Sequence, residues 1–269
     1  MPREAPEFAD ASDRVALITG AASGIGEATA VRLAAAGVGR FALVDRDEAG
    51  CRRVAAALGR SADDVLVRVH DVADETAWAE TETALDVRFG RLDLAVANAG
   101  IADGGEIADY DFARWRQVLG VNLDGVFLTL RASLRAMRRA GRGGSVVVVA
   151  SASGIKAEPG TAAYGASKAG ALHLARVAAR EGAPDRIRVN AILPGGVETP
   201  IWSDVPFFRD LVAETGSEDA AFARMASMAT PLARYAKAAE IADGIAFLLS
   251  DRAAYMTGAA QVVDGGYTL

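Results

Sequence analysis

Residues 145–168 read SVVVVASASGIKAEPGTAAYGASK and join a short apolar run to a helical pattern. The four consecutive valines are β-branched and bounded by turn residues, which predicts a strand buried on both faces. Ser151 stands at the carboxyl end of that strand, where open α/β sheets bind their ligands. After Pro159 and Gly160, a helix is predicted to begin near Ala162. This strand–loop–helix unit is typical of a parallel α/β sheet.

The predicted helix places Tyr164 and Lys168 one turn apart on the same face. An ammonium near a phenol favours the phenolate, so we expect Lys168 to lower the pKa of Tyr164 from about 10. Tyr164 would then exchange a proton with an alcohol or carbonyl oxygen that Ser151 holds by a hydrogen bond. A half-buried aromatic beside a solvated charge is the ordinary interpretation of this spacing. Lysine occurs only at positions 156, 168 and 237 of an arginine-rich chain, which favours the functional interpretation.

A second strand-to-helix junction lies near the beginning of the sequence. Residues 14–19 are apolar, and a glycine-rich turn of spacing G-x-x-x-G-x-G separates them from a helical pattern. The turn contains Gly20, Ser23, Gly24, Ile25 and Gly26. Such a turn offers free backbone N–H groups and the positive end of a helix to a phosphate. Glycine is common in any tight turn, so the predicted dinucleotide site depends on this strand-and-helix context.

The next predicted strand, residues 41–44, ends in Asp45, about twenty residues beyond the glycine turn. A carboxylate at this position can bind an adenosine ribose and would repel a 2′-phosphate. An ordinary capping or loop acid is the alternative. Arg46 follows directly and would instead accept a 2′-phosphate. The pattern favours NAD over NADP as the cofactor.

Further strands are predicted at residues 65–69, 92–97, 187–193 and 260–263, alternating with helices. The residues that follow the first three of these strands are Asp71 and Val72, then Asn98, Ala99 and Gly100, then Pro194, Gly195, Gly196, Val197 and Thr199. Asn122 lies among apolar residues in a helical stretch, residues 111–140, where it either bonds backbone groups or holds a buried water. The alternation predicts one α/β domain over residues 14–269, a doubly wound, Rossmann-type parallel sheet of about seven strands with helices on both faces.

Residues 201–230 mix aromatic and apolar side chains with acids, among them Trp202, Phe207 and Phe208. We interpret this segment as a flap over the substrate. A simple packing insert is the alternative. We expect substrate contacts from Ser151, Ser153, Tyr164, Gly196, Trp202 and Phe207. The apolar character of the flap favours an apolar or cyclic substrate.

Composition excludes several other classes. The net charge is −6 and no block of like charges suggests nucleic-acid binding. No apolar run has membrane-spanning length, and residues 1–13 are a polar tail without a signal-peptide core. Cys51 is the single cysteine, which excludes an internal disulfide and fits a reducing, cytoplasmic environment. Two isolated histidines give no metal site.

Together these motifs resemble the short-chain dehydrogenase/reductase family over nearly the whole chain. The motifs that carry the resemblance are Thr19-Gly20-x-x-x-Gly24-x-Gly26, Asp45, Asp71-Val72, Asn98-Ala99-Gly100, Asn122, Ser151, Tyr164-x-x-x-Lys168, Asn190, Pro194-Gly195 and Asp264-Gly265-Gly266. The resemblance implies that Tyr164 is the acid/base, that Ser151 polarises the substrate oxygen, and that Lys168 also holds the nicotinamide ribose.

The same resemblance implies roles for other residues. Asn122 would anchor the water of a proton relay. Asp71 and Val72 would contact adenine, and Val197 and Thr199 would contact the carboxamide. Ser23, at a position where NADP-dependent relatives often carry a basic residue, supports NAD. The family also implies a homotetramer built on the two long helices that follow the fourth and fifth strands.

The leading hypothesis is therefore hydride transfer between NAD(H) and a small-molecule secondary alcohol or ketone. One alternative is an NADPH-dependent reductase of 3-oxoacyl thioesters on a carrier protein, which would dock on an arginine cluster. That cluster contains Arg131, Arg135, Arg138, Arg139 and Arg142. The other alternative is a non-catalytic NAD-binding regulator, which would have kept the fold and lost part of the Ser-Tyr-Lys set.

Overall fold

The computed structural model describes residues 7–203 and 205–269. The strands are β1 Val15–Thr19, β2 Arg40–Asp45, β3 Val65–Val69, β4 Leu94–Ala97, β5 Gly144–Val149, β6 Ile187–Pro194, β7 Val197–Glu198, β8 Ala236–Lys237 and β9 Ala260–Val263. The α-helices are α1 Gly24–Ala35, α2 Glu48–Ala57, α3 Glu75–Phe89, α4 Phe112–Leu119, α5 Gly125–Ala140, α6 Ala162–Gly182, α7 Pro206–Thr215, α8 Glu218–Ala229 and α9 Ala238–Leu249.

Seven strands form one parallel sheet in the order β3-β2-β1-β4-β5-β6-β9. Each strand reads as a nearly continuous apolar run because both faces of the sheet are covered. In β1, Val15 and Leu17 pack under α3, α5 and α6, while Ala16 and Ile18 pack under α1, α2 and α9. The predicted doubly wound sheet of about seven strands is confirmed.

The strand order reverses at β1, which pairs with β2 on one side and β4 on the other. Connections leaving β1 and β4 go to opposite faces, so a crevice opens at their carboxyl ends. Thr19 ends β1 there, and its Oγ1 accepts hydrogen bonds from the backbone N–H groups of Asn98 and Ala99. The glycine turn and the segment after β4 are therefore fixed to each other at the crevice.

The predicted helical stretch 111–140 contains an interruption. One π-helical turn, Gly120–Asp124, joins α4 to α5. Such a turn adds a residue to the helical repeat and is frequent at functional sites. It carries Asn122, which is fully buried. The helical pattern in the sequence did not show this widening, because the apolar spacing continues across it.

The described part of the predicted polar tail, residues 7–13, packs onto the domain. Phe8 is only 4% exposed, and the Arg14 guanidinium lies over its ring. Asp251 accepts a hydrogen bond from Ala9 N and pairs with Arg14 at 2.7 Å. The Phe8 ring, together with the ion pairs and hydrogen bonds of this segment, supplies the anchoring contacts. Residues 1–6 lie outside the described residues.

The described part of the predicted flap folds as α7 and α8 with a small core of its own. Trp202, Phe208, Phe222 and Tyr235 make mutual ring contacts with centroids 4.7–6.4 Å apart. The short pair β7 and β8 fixes this unit to the end of the sheet. None of the helices in residues 7–203 and 205–269 combines the length and apolarity needed to cross a membrane.

Candidate active site

A cavity of about 1170 Å³ opens along the carboxyl edge of the sheet. Nearly all of the side chains and glycines predicted as site residues line it. The two that do not are Gly26 and Asn122, which are buried behind its wall. The structure thus brings the predicted site residues from six strand ends and the flap to one place.

The glycine turn is constrained by the close approach of neighbouring backbone. Gly20 and Gly24 have φ of +64° and +56°, in the left-handed region that favours glycine. A Cβ at Gly20 would lie 2.7 Å from Asn98 Nδ2 and 2.8 Å from the Cα of Ala99. Because α1 begins at Gly24, its free N–H groups and positive end face the cavity. The turn fits a pyrophosphate.

Asp45 closes β2 beside this turn. Its Oδ2 accepts a hydrogen bond from Ala22 N and its Oδ1 accepts one from Asp47 N, both at 3.1 Å. These bonds hold the carboxylate against the glycine turn at the cavity wall. Arg46 is exposed at the same end of the cavity. A negative group is therefore fixed by hydrogen bonds at this end of the cavity, and an exposed positive group lies beside it.

The segment after β4 is locked to the glycine turn. Asn98 Nδ2 donates to the carbonyl oxygens of Thr19 and Gly20 at 3.0 and 3.1 Å. A Cβ at Gly100 would lie 3.3 Å from both Asn122 Oδ1 and Lys168 Nζ. The small residues predicted at this turn therefore allow two functional side chains to approach the backbone.

Asn122 bonds backbone groups across the wall of the site. Its Oδ1 accepts a hydrogen bond from Ile101 N, and its Nδ2 donates to Ile101 O, both at 2.9 Å. Nδ2 also lies 3.2 Å from Ser167 Oγ. Of the two alternatives for this residue, the structure shows the backbone-bonding one.

Ser151 and Tyr164 meet at the centre of the cavity. Ser151 is 7% exposed, its Oγ accepts a hydrogen bond from Ser153 N at 3.1 Å, and a further hydrogen bond links it to Tyr164. Burial raises the pKa of Tyr164, and the hydrogen bond to Ser151 opposes that shift. The structure therefore differs from the expectation that Lys168 lowers this pKa. The reason is that loss of solvation outweighs the other effects.

Lys168 lies beneath this pair. It is 3% exposed, and its Nζ donates to Val149 O at 2.9 Å and lies 5.7 Å from the centroid of the Tyr164 ring. Burial lowers the pKa of Lys168 to about 8. A deeply buried ammonium with one backbone partner retains two N–H groups for other acceptors.

The end of the cavity beside the flap, which we call the substrate end, contains residues that the sequence analysis did not predict. The side chains of Tyr235, Met225, Met228, Lys156, Glu158 and Tyr267 line it beside the predicted Trp202 and Phe207. Gly196 is in contact with the Tyr235 ring, so this predicted residue contributes space. No local pattern marks the missed residues, because they come from the loop after β5, from α8 and from segments beyond it.

The chain matches a known protein family over almost its full length. The family described as enoyl-(acyl carrier protein) reductase matches residues 20–268. The cis-4-hydroxycyclohexanecarboxylate dehydrogenase of Sinomonas cyclohexanicum is 40% identical over 259 residues, which cover 96% of this chain and 97% of that protein.

Two solved structures superpose closely. The carveol dehydrogenase of Mycobacterium avium, solved with NAD, has a TM-score of 0.87 and 32% identity, covering 94% of this chain and 97% of that one. The L-sorbose reductase of Gluconobacter frateurii, solved with NADPH and L-sorbose, has a TM-score of 0.89 and 29% identity, covering 98% and 99%.

Proposed function

Because the chain belongs to the short-chain dehydrogenase/reductase family, we propose that it transfers hydride between NAD(H) and a cyclic, apolar secondary alcohol. The reaction class is that of an oxidoreductase of secondary alcohols and ketones that uses a nicotinamide cofactor. The observation that carries the proposal is the placement of Ser151, Tyr164 and Lys168 together in one cavity beside the glycine turn. The aromatic and apolar side chains that line the substrate end support a substrate with an apolar ring.

The residues at the other end of the cavity fit a dinucleotide. Gly20, Ser23, Gly24, Ile25 and Gly26 would hold the pyrophosphate at the start of α1. The remaining cofactor contacts would come from Asp45 and Arg46 at the ribose, Asp71 and Val72 at the adenine, Asn98, Ala99 and Gly100 along the crevice, and Pro194, Gly195, Val197 and Thr199 at the carboxamide. The cofactor supplies or accepts the hydride.

The proton moves at Tyr164. In carbonyl reduction the carbonyl carbon gains a hydride and its oxygen takes the proton of the Tyr164 phenol; in alcohol oxidation both transfers reverse. Ser151 would hold the substrate oxygen, and Lys168 would bind the nicotinamide ribose with its remaining N–H groups. Asn122 would act by fixing the segment after β4 and, through it, the relay water.

The preference for NAD rests on Asp45. Its carboxylate is fixed by two backbone N–H groups at the ribose end of the cavity, where it would repel a 2′-phosphate. Ser23 adds no positive charge there. Arg46 opposes the preference, and the solved relatives were crystallised with different cofactors, NAD in one and NADPH in the other.

The test is turnover of a panel of cyclic secondary alcohols by the purified protein with NAD and with NADP, followed by reduced-cofactor absorbance. We expect oxidation of at least one apolar ring alcohol, with NAD favoured at least tenfold in kcat/KM. Binding of NADH without turnover of any alcohol or ketone would instead support the non-catalytic regulator.

The carrier-protein alternative has one observation in its favour, the description of the matching family. Its proposed docking cluster is largely occupied within the chain. Arg131 pairs with Glu75 at 2.8 Å and Arg138 with Asp185 at 2.7 Å. Arg135 lies 3.5 Å from Glu82. Preference for NADPH, together with activity on a 3-oxoacyl carrier thioester that is lost in Arg135→Ala, would support this alternative over the cyclic alcohol.

We further propose a homotetramer in a reducing, cytoplasmic environment. Exposed aromatic side chains on the helices after β4 support the assembly, Phe112 on α4 and Phe127 on α5. The single cysteine, buried Cys51, supports the environment. Light scattering with Phe127→Ala and Val87→Ala would test the assembly; only the first should dissociate it.

A further inference from the structure

Among the described residues, four charged side chains line the substrate end of the cavity. They are Asp103, Lys156, Glu158 and Lys168. Lys168 is bonded to Val149 O and belongs to the catalytic group. The other three are each paired with a group of opposite charge within the chain.

Asp103 is satisfied within the chain. Its Oδ2 accepts a hydrogen bond from Tyr110 Oη at 2.8 Å and one from Arg114 Nε at 3.0 Å, and its Oδ1 accepts one from Gly104 N. A carboxylate with this set of donors keeps its charge balanced by the guanidinium. Asp103 and its guanidinium partner therefore present no unbalanced positive charge to an anionic substrate group.

Lys156, Glu158 and Tyr267 form a cluster at the opening of the substrate end, which we call the rim cluster. Lys156 Nζ donates to Tyr267 O at 2.7 Å, lies 4.1 Å from the centroid of the Tyr267 ring, and pairs with Glu158 Oε1 at 3.3 Å. The Tyr267 hydroxyl bonds to the Glu158 side chain, and burial together with that carboxylate raises the pKa of Tyr267 to about 12. The ammonium at the rim is thus held by a carboxylate, a carbonyl and a ring.

We propose that Glu158 makes this site selective for substrates whose ring substituents are uncharged, by neutralising Lys156 and repelling a substrate carboxylate. The inference rests on the proposed oxidation of cyclic secondary alcohols and narrows its substrate class. A carboxylate on the ring would lose its hydration between Trp202, Phe207 and the rim cluster. It would find the Lys156 ammonium already paired with Glu158, so that ammonium would not offset the cost of removing the substrate carboxylate from water.

The 40% identical relative is named for a substrate that carries a carboxylate. The proposal therefore separates this chain from a protein with the same reaction class. A substrate with an ester, alkyl or carbonyl group at the same ring position carries no net charge, so the Glu158 carboxylate would not repel it. The selectivity would be expressed mainly in kcat/KM, because the repulsion acts on substrate entry and on the transition state alike.

The experiment measures kcat/KM for a ring alcohol in a charged and an uncharged form. The first pair is 4-hydroxycyclohexanecarboxylate and its methyl ester. We expect the wild type to favour the ester at least tenfold. Glu158→Gln should reduce the ester-to-carboxylate ratio by about threefold to tenfold at low salt, because it removes the repelling charge and frees Lys156. Raising the ionic strength should shrink that change.

Two controls separate charge from packing. Tyr267→Phe removes the hydroxyl from the rim cluster without changing its charge, and should leave the ratio within about twofold of wild type. Glu181→Gln makes the same change in net charge on an exposed part of α6 away from the cavity, and should leave the ratio unchanged. A Tyr267→Phe effect as large as that of Glu158→Gln would overturn the assignment of selectivity to charge.

A wild-type preference for the carboxylate, or an unchanged ratio in Glu158→Gln, would overturn the inference while leaving the oxidation of ring alcohols established. Absence of turnover with every alcohol in either form would overturn the proposed function itself. The two failures are therefore distinguishable.

Discussion

The two ends of the cavity are formed by different kinds of structural element. The cofactor end consists of strand ends and a glycine turn, held by backbone hydrogen bonds such as those from Ala22 N and Asp47 N to Asp45. The substrate end consists mainly of side chains from the loops after β4 and β5, from the flap, and from Tyr235 and Tyr267. Its walls are joined by ring contacts and one small ion-pair cluster.

The cofactor end, held by backbone hydrogen bonds, and the substrate end, formed by side chains, therefore differ in how readily they can change. The cofactor end cannot change without displacing the sheet, because Gly20 already touches the segment after β4. The substrate end can exchange side chains while the sheet stays in place, since the flap has its own small core. Cofactor affinity and substrate choice should therefore respond to different substitutions.

The largest expected effect on this comparison comes from Gly20→Ala. Its Cβ would meet Asn98 and Ala99 while φ stays at +64°, so NADH affinity should fall more than tenfold and the free energy of unfolding by about 2–3 kcal/mol. Gly59→Ala is the matched control, with φ of +63° and open space around its Cβ. It should cost about 1 kcal/mol and leave NADH affinity unchanged. Equal NADH affinities in the two variants would contradict the role of close approach at Gly20.

Asp45→Asn should change cofactor choice by roughly tenfold. The amide keeps the size of the side chain and removes the negative charge, so NADPH should gain relative to NADH in a fluorescence titration at fixed salt. Asp63→Asn, on an exposed acid paired with Arg88, is the control and should not alter the ratio. A wild type that already binds NADPH more tightly would show that Arg46 governs this end.

Lys168 gives a pH dependence of stability. Its pKa is about 8 in the folded chain and about 10.4 when unfolded, so the unfolded state binds more protons between these values. The free energy of unfolding of the wild type should therefore rise from pH 8 to pH 10 relative to Lys168→Met. Denaturant titrations of both proteins across this range would measure the difference. A difference that falls with pH would contradict the burial of an ammonium at this position.

The smallest expected effect is at the flap. Phe207 is 59% exposed and lines the cavity, so Phe207→Ala should raise the KM for a ring alcohol a few-fold and change the free energy of unfolding by less than about 0.5 kcal/mol. Val87→Ala, at an 84% exposed position on α3, is the control. A change in NADH affinity in Phe207→Ala would break the proposed separation between the two ends.

The fold and the cofactor end were predictable because their signals are local. Each apolar run and each glycine at a strand end follows from the chain's own periodicity, and parallel strands bring those ends to one edge. Asp45 and Asn98 could be placed in the site for this reason alone. The substrate end was less predictable, because Lys156, Glu158 and Tyr267 meet only through tertiary structure. Tyr267 is separated from the other two by more than a hundred residues.

The electrostatics of Tyr164 were predicted incorrectly for a related reason. Spacing on a helix shows that Lys168 is near, but it does not show how much solvent each group loses. In the structure the loss of solvation raises the pKa of Tyr164, and the ammonium donates to Val149 O. The packing of residues 7–13 onto the domain could not be predicted either, because the burial of Phe8 depends on contacts that the sequence pattern does not contain.

The most direct test of the central claim compares wild type with Tyr164→Phe in two assays, NADH binding by fluorescence and turnover of the ring alcohol identified in the panel. If the phenol is the proton donor and acceptor, as proposed, kcat should fall by about 10²–10⁴, while NADH affinity stays within about twofold because the cofactor end is untouched. Turnover close to wild type would contradict the assignment of Tyr164 as the acid/base. A parallel loss of NADH affinity would contradict the independence of the two ends.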